Sequence, residues 1–255
     1  MPADKTRTGP RRRIEEKRAA EAAARAAAGK RRRTVIGGVV AAVVLVVAVI
    51  VVVVVQTSRT STSATVAVPA GTVDDGTGIA VGQADATVTV DVYEDFQCPV
   101  CAQFEATNGY TLDQLVSSGD IRLVYHAIAF LDRASTTEYS TRALNAAGTV
   151  LDSAGTDAFR KFHDLLFANQ PAEGSAGLTD DQLVDYATQA GATGEGVASA
   201  IRDRAFEDWT RQVTDATSQA GVTGTPTVLV DGEKFEGEVY KPGPLTEAIE
   251  SAAQQ

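Results

Sequence analysis

Cysteine is nearly absent from this chain of 255 residues: there are two, Cys98 and Cys101, and both belong to one Cys-x-x-Cys. A structural disulfide framework is therefore excluded, and a single dithiol is left. No Gly-rich phosphate loop and no Ser/His/Asp arrangement stands out, so nothing points to nucleotide chemistry or serine-type hydrolysis. Histidine is as scarce, with His126 and His163 alone. A structural zinc site on Cys98, Cys101, His126 and His163 would need all four to converge, and its histidines would usually stand about 3–5 residues apart. Here one falls on a strand and the other on an amphipathic helix, so both read as packed histidines and no metal is expected. Phe206, Trp209 and Tyr186 likewise read as helix-packing residues, and no internal repeat is visible.

Charge is missing from one long stretch. Residues 34–55 are uncharged and almost wholly Val, Ala, Ile, Leu and Gly. As a helix they would span about 33 Å, the thickness of a bilayer core. Lys30-Arg31-Arg32-Arg33 abut this run, so the positive-inside rule leaves residues 1–33 cytoplasmic and the chain beyond Gln56 extracytoplasmic. The run exceeds the usual h-region of about 7–15 residues, which favours a retained single-pass anchor over a cleaved signal peptide. Residues 1–33 carry 12 basic and 4 acidic side chains, net +8, leaving 11 and 29 for the rest, net −18. A basic head on an acidic body suggests two compartments, with the tail near anionic lipid headgroups and no role for nucleic acid. Residues 56–77, rich in Ser, Thr, Ala and Gly, read as a flexible tether with a reach of roughly 25 Å. The globular pattern begins at Gly78 and runs to residue 255.

What is present is a strand, a short loop and a Cys-x-x-Cys opening a helix. Thr87 to Val92 alternates, Tyr93-Glu94-Asp95-Phe96-Gln97 bridges, and Cys98-Pro99-Val100-Cys101 comes next. Cys98 takes the N-cap, where free N–H groups and the helix dipole stabilise a thiolate. Pro99 takes the first helical position, where a missing N–H costs nothing. Cys101 shares the helix face of Cys98, roughly 5–6 Å away between Cβ atoms, close enough for a disulfide after small adjustment. The pattern predicts an exposed, activated sulfur and a shielded resolving one.

Further on, Ile121 to His126 predicts a second strand, parallel to the first through the crossover helix. A helical block comes after it, with breaks at Gly155, at 170–174 and at Gly191. Ala158, Phe159, Phe162, Leu165, Leu166 and Phe167 mark an apolar face, and Thr179 with Gln182 a capping box. Asp231-Gly232 signals a type I′ hairpin after the run Thr227 to Val230, and residues 245–253 a closing helix.

These pieces resemble the DsbA-like thiol-disulfide oxidoreductases. The motifs that carry the resemblance are Asp95-x-x-Cys98-Pro99-x-Cys101 and Gly221-Val222-x-Gly224-Thr225-Pro226-Thr227, with Phe130-Leu131-Asp132 and the Phe159, His163, Phe167 helix in support. It implies an α/β thioredoxin fold with a helical insertion, about 132–219, between the second and third strands, preceded here by the transmembrane helix. It also implies a cis Thr225–Pro226 bond packed against the cysteines, offering the Thr225 backbone to an extended substrate. Cys98 is then the nucleophile, Cys101 resolves, and Thr225 and Pro226 bind substrate. No organic cofactor or metal is needed. Electrons would pass to a membrane quinone-linked partner resembling DsbB or the vitamin K epoxide reductase family.

Two positions depart from the pattern. The buried acid that many such enzymes carry six residues before the first cysteine is Val92 here. Glu94 and Asp95 stand nearby as supporting residues with Pro99. Alternation would put Glu94, not Asp95, on the Val92 face if the strand runs that far. Both are expected as solvated loop carboxylates, with a proton relay as the alternative. Val100 occupies a position where strong oxidases often have His, and it has no side-chain donor for the Cys98 thiolate. The expected activity is oxidation of cysteine pairs in exported proteins. The alternatives are reduction or isomerisation, or a membrane-tethered binding module without turnover.

Overall fold

The computed structural model describes residues 66–254. The basic tail, the apolar run 34–55 and the first part of the tether, 56–65, lie outside the described residues. Among the described residues no helix is long and apolar enough to cross a membrane.

Among the described residues six strands form one sheet: β1 (Thr72–Val73), β2 (Gly78–Val81), β3 (Val88–Glu94), β4 (Ile121–Ala127), β5 (Thr227–Val230) and β6 (Glu233–Lys234), in the order β1-β2-β4-β3-β5-β6. The helices are α1 (Pro99–Ser118), α2 (Tyr139–Ala168), α3 (Asp180–Ala190), α4 (Val197–Arg202), α5 (Glu207–Gln219) and α6 (Pro244–Ala252). β3 and β4 run parallel through α1, with Val90 opposite Leu123 and Val92 opposite Tyr125, while β5 pairs antiparallel to β3. The helical insertion, α2 to α5, thus lies between β4 and β5.

The alternation of β3 explains its central place. Val88, Val90 and Val92 are fully buried on one face, each contributing about 1.5–3 kcal/mol through removal from water. Phe104 and Leu112 of α1 and Phe159, Phe162 and Leu166 of α2 belong to the same core. α2 breaks at Gly155, where φ is 79°, a backbone conformation that side chains disfavour. Thr179 caps α3 with both bonds of the box, Gln182 N–H to Thr179 Oγ1 at 3.2 Å and Thr179 N–H to Gln182 Oε1 at 2.9 Å. Asp231 and Gly232 have φ of 49° and 79°, as a type I′ turn requires.

The tether stops short of residue 77. Thr72–Val73 pair with β2, Ala70 N–H donates to Asp152 Oδ1 at 2.8 Å, and the Trp209 indole donates to Gly76 O at 2.6 Å. A two-residue strand in a Thr- and Gly-rich run has too little periodicity to show in sequence, and its partners lie far along the chain. β2 went unmarked for the same reason. The sheet therefore has two more strands than expected ahead of the cysteine motif.

Candidate active site

The loop between β3 and α1 is fixed from below by Asp95. Its backbone oxygen accepts the Cys98 N–H at 2.9 Å. Its carboxylate accepts the Gln97 N–H at 2.9 Å, the Ser140 hydroxyl at 2.6 Å and the Leu131 N–H at 2.9 Å. Asp95 is fully buried, not the solvated carboxylate expected. Burial pushes its carboxyl up to about 6, against the pull of these hydrogen bonds. The loop is held in turn by two glutamines. Gln170 Nε2 donates to the carbonyls of Phe96 at 3.2 Å and Cys98 at 2.9 Å, and Gln97 Nε2 donates to those of Ala172 and Ser175, both at 3.2 Å. The segment after α2 is thus stitched to the cysteine loop.

Cys98 caps α1 in extended conformation, with Pro99 in the first turn. Both thiols are free. The Thr225–Pro226 bond is cis, and Cys98 Sγ lies 3.5 Å from Thr225 O. The four residues expected to act together, Cys98, Cys101, Thr225 and Pro226, therefore meet. The Cys101 thiol holds the Cys98 thiol down to about 6; burial opposes this, while the Thr225 side chain and the N–H groups of Cys101 and Val100 assist. Cys101 goes the other way: burial first, then its hydrogen bond to Cys98 and the Cys98 charge, push its thiol far above the usual range. Cys98 is only 6% exposed, less open than expected, because the Thr225–Pro226 turn folds over it. Pro99 and Val100 are the exposed members of the motif.

β3 continues through Glu94, so strand alternation puts its side chain on the Val92 face, fully buried. This overturns the second solvated carboxylate. Glu94 Oε1 lies 2.7 Å from His163 Nε2 on α2. Burial alone would lower the His163 imidazole, but the Glu94 charge and the hydrogen bonds to Asp164 and Glu94 carry it up to about 10. His126 stacks on Tyr93 with centroids 4.4 Å apart and bonds Asp91 at 3.0 Å. Each histidine thus has a carboxylate neighbour rather than a cysteine.

Sequence reading missed Gln170, the Glu94–His163 pair and Tyr240. Tyr240 comes after β6 on a loop tied to α1 by the Asn108 amide, which donates to Val239 O at 2.7 Å. Burial and the nearby charges of Cys101 and Cys98 raise its phenol. Strand alternation carried two residues past Val92 pointed to Glu94, but its partner on a distant helix had no local signal, and nothing local marked Gln170.

A family model described as Thioredoxin matches residues 74–250. The reduced disulfide bond oxidoreductase DsbG of Mycobacterium tuberculosis is 31% identical, with a TM-score of 0.62 over 71% of this chain and 90% of that one. Oxidised DsbA of the same organism is 31% identical, with a TM-score of 0.60 over 70% and 93%. Among curated relatives, the Na(+)/H(+) antiporter NhaA 3 of Salinispora tropica is 30% identical over 171 residues, 67% of this chain but 24% of the antiporter. The chain thus spans about a quarter of that relative. With the dithiol, the cis-proline turn and these likenesses together, the chain belongs to the thioredoxin family, among the DsbA-like thiol-disulfide oxidoreductases.

Proposed function

We propose that this enzyme oxidises cysteine pairs in exported proteins, on the outer side of the membrane. The carrying observation is the contrast within the motif, with Cys98 held down to about 6 and Cys101 pushed up. Stabilising the Cys98 thiolate stabilises the reduced enzyme, so the disulfide is readily given away. A substrate thiolate attacks Cys98 Sγ of the disulfide, the Cys98–Cys101 bond breaks, and Cys101 leaves with the electron pair and takes a proton. A second substrate thiolate then attacks the substrate sulfur of the mixed disulfide. Cys98 departs as a thiolate, the substrate holds the new disulfide, and the enzyme holds both electrons.

The Thr225 backbone beside Cys98 supports binding of an extended client, and exposed Val100 offers it an apolar contact. A membrane quinone-linked oxidant of the DsbB or vitamin K epoxide reductase type would return the dithiol to the disulfide. The apolar run 34–55 and the basic residues before it support a single-pass anchor with the catalytic domain outside.

The test is the reduction potential of the Cys98–Cys101 pair against glutathione buffers. A value well above the roughly −270 mV of thioredoxin is expected for an oxidase. A value at or below it overturns the oxidase reading in favour of a reductase, the direction that Val100 favours by withholding a side-chain hydrogen bond from Cys98.

A further inference from the structure

Beneath the dithiol lies a cluster that supplies no atom to the exchange steps. Glu94 ends β3, Glu105 stands one turn beyond Cys101 on α1, and His163 projects from α2. One ligand-type atom from each lies within 4.8 Å of the others. The 2.7 Å between Glu94 Oε1 and His163 Nε2 is a hydrogen-bond distance, which a small separation of the two side chains would widen to the roughly 3.4 Å between neighbouring ligands of a tetrahedral ion with bonds of about 2.1 Å. Glu94 Oε2 and Glu105 Oε1 are buried and have no hydrogen-bond partner, although buried polar atoms are nearly always paired. Glu94 is fully buried, so water at the surface does not serve it.

Access exists on the α1–α2 side. A groove of about 400 Å³ is lined by Glu105, Gly109, Tyr110, Asp113, His163 and Asp164. A Cβ at Gly109 would come within 3.0 Å of Glu105 Oε2, so glycine leaves the carboxylate its room. Arg160, also on the groove, is committed to Asp113 and to the Tyr125 hydroxyl.

We propose that Glu94, Glu105 and His163 form a site for a borderline divalent cation such as zinc, reached through this groove. Two carboxylates and a neutral imidazole balance the charge of the ion, and this nitrogen and oxygen set suits zinc or cobalt better than calcium or magnesium. The ion takes the place of the proton shared between His163 and Glu94, which leaves to solvent. A position facing the groove stays open to water. The bound ion clamps the sheet, the cysteine helix and the helical insertion together and takes no part in exchange. The trio Asp74, Asp91 and His126 also converges, but no unpaired buried side-chain oxygen is found there among the described residues.

The test uses the full chain in detergent, with the cysteines oxidised so that no thiolate can ligate. Chelator-treated protein is titrated with Co²⁺, followed by its visible d–d absorption, and then with Zn²⁺ in competition. One Co²⁺ per chain, displaced by Zn²⁺ and accompanied by a higher Tm, is expected. Glu105→Gln and Glu105→Ala should weaken binding by more than about 100-fold, beyond what loss of an outer contact costs, with circular dichroism unchanged. Asp91→Asn should leave binding intact. No uptake by the oxidised wild type, uptake that survives both Glu105 variants, or uptake lost in Asp91→Asn would each overturn the site.

Discussion

The rim and the floor of this active site are built from opposite materials. At the rim, Cys98 meets hydrogen-bond donors and the Thr225 carbonyl, with Pro226 beside it and Val100 39% exposed. At the floor, Cys101 is fully buried, with Glu94 adding negative charge to its surroundings. One turn of helix separates the two sulfurs, yet one thiol is drawn below its ordinary range and the other is driven above it. Reactivity here is set by what surrounds a sulfur rather than by the motif alone.

Removing either sulfur breaks the comparison most completely. Cys98→Ser should reduce disulfide exchange to background in an insulin or glutathione assay. Cys101→Ser should instead retain the first attack and accumulate a mixed disulfide on Cys98, visible by mass spectrometry. If both variants behaved alike, the division between nucleophile and resolving sulfur would be wrong.

The next largest effect falls on the floor. His163→Leu leaves the Glu94 carboxylate buried without its partner, which should cost about 3–5 kcal/mol in denaturant unfolding. Gln170→Ala should cost less, about 1–3 kcal/mol, because the carbonyls of Phe96 and Cys98 lose a donor. It should also raise the Cys98 midpoint by loosening the loop. A Gln170→Ala protein as stable as the wild type would remove that glutamine from the support of the site.

The subtlest test is pH. The Cys98 thiolate, followed by ultraviolet absorbance, should appear with a midpoint near about 6, and Cys98→Ser should remove that transition. Because the folded value lies below the ordinary thiol value of about 8.5, the thiolate's contribution to stability is complete above that value and lost as pH falls through the folded one. The disulfide form has no such group. The stability of the reduced enzyme relative to the oxidised one should therefore decline on acidification across this window. A difference that stays flat would mean that the rim does not stabilise the thiolate.

Much of the rim was legible because its signals are local. The alternation before Cys98, proline in the first turn, and the Gly-Thr-Pro-Thr segment each carry their own geometry, as do Asp231-Gly232 and Thr179 with Gln182. The floor was not legible, because its partners are remote. Glu94 is buried by a strand running two residues farther than the alternating segment suggested, and it meets a histidine 69 residues away. Asp95 reads as a loop residue until Ser140 and Leu131 close on it. β1 and β2 are too short to announce themselves, so part of the ordered fold was assigned to the tether.

β1 sits at the outer edge of the sheet, with β2 and β4 between it and the cysteine-bearing β3. Tension transmitted along the polypeptide from residue 66 would reach this edge first. It would be resisted by the Ala70 bond to Asp152, by a two-residue ladder and by the indole of Trp209 gripping Gly76. The strand that carries the chemistry is thus mechanically sheltered: the N-terminal edge can peel away before a disturbance there reaches the strand that positions the sulfurs.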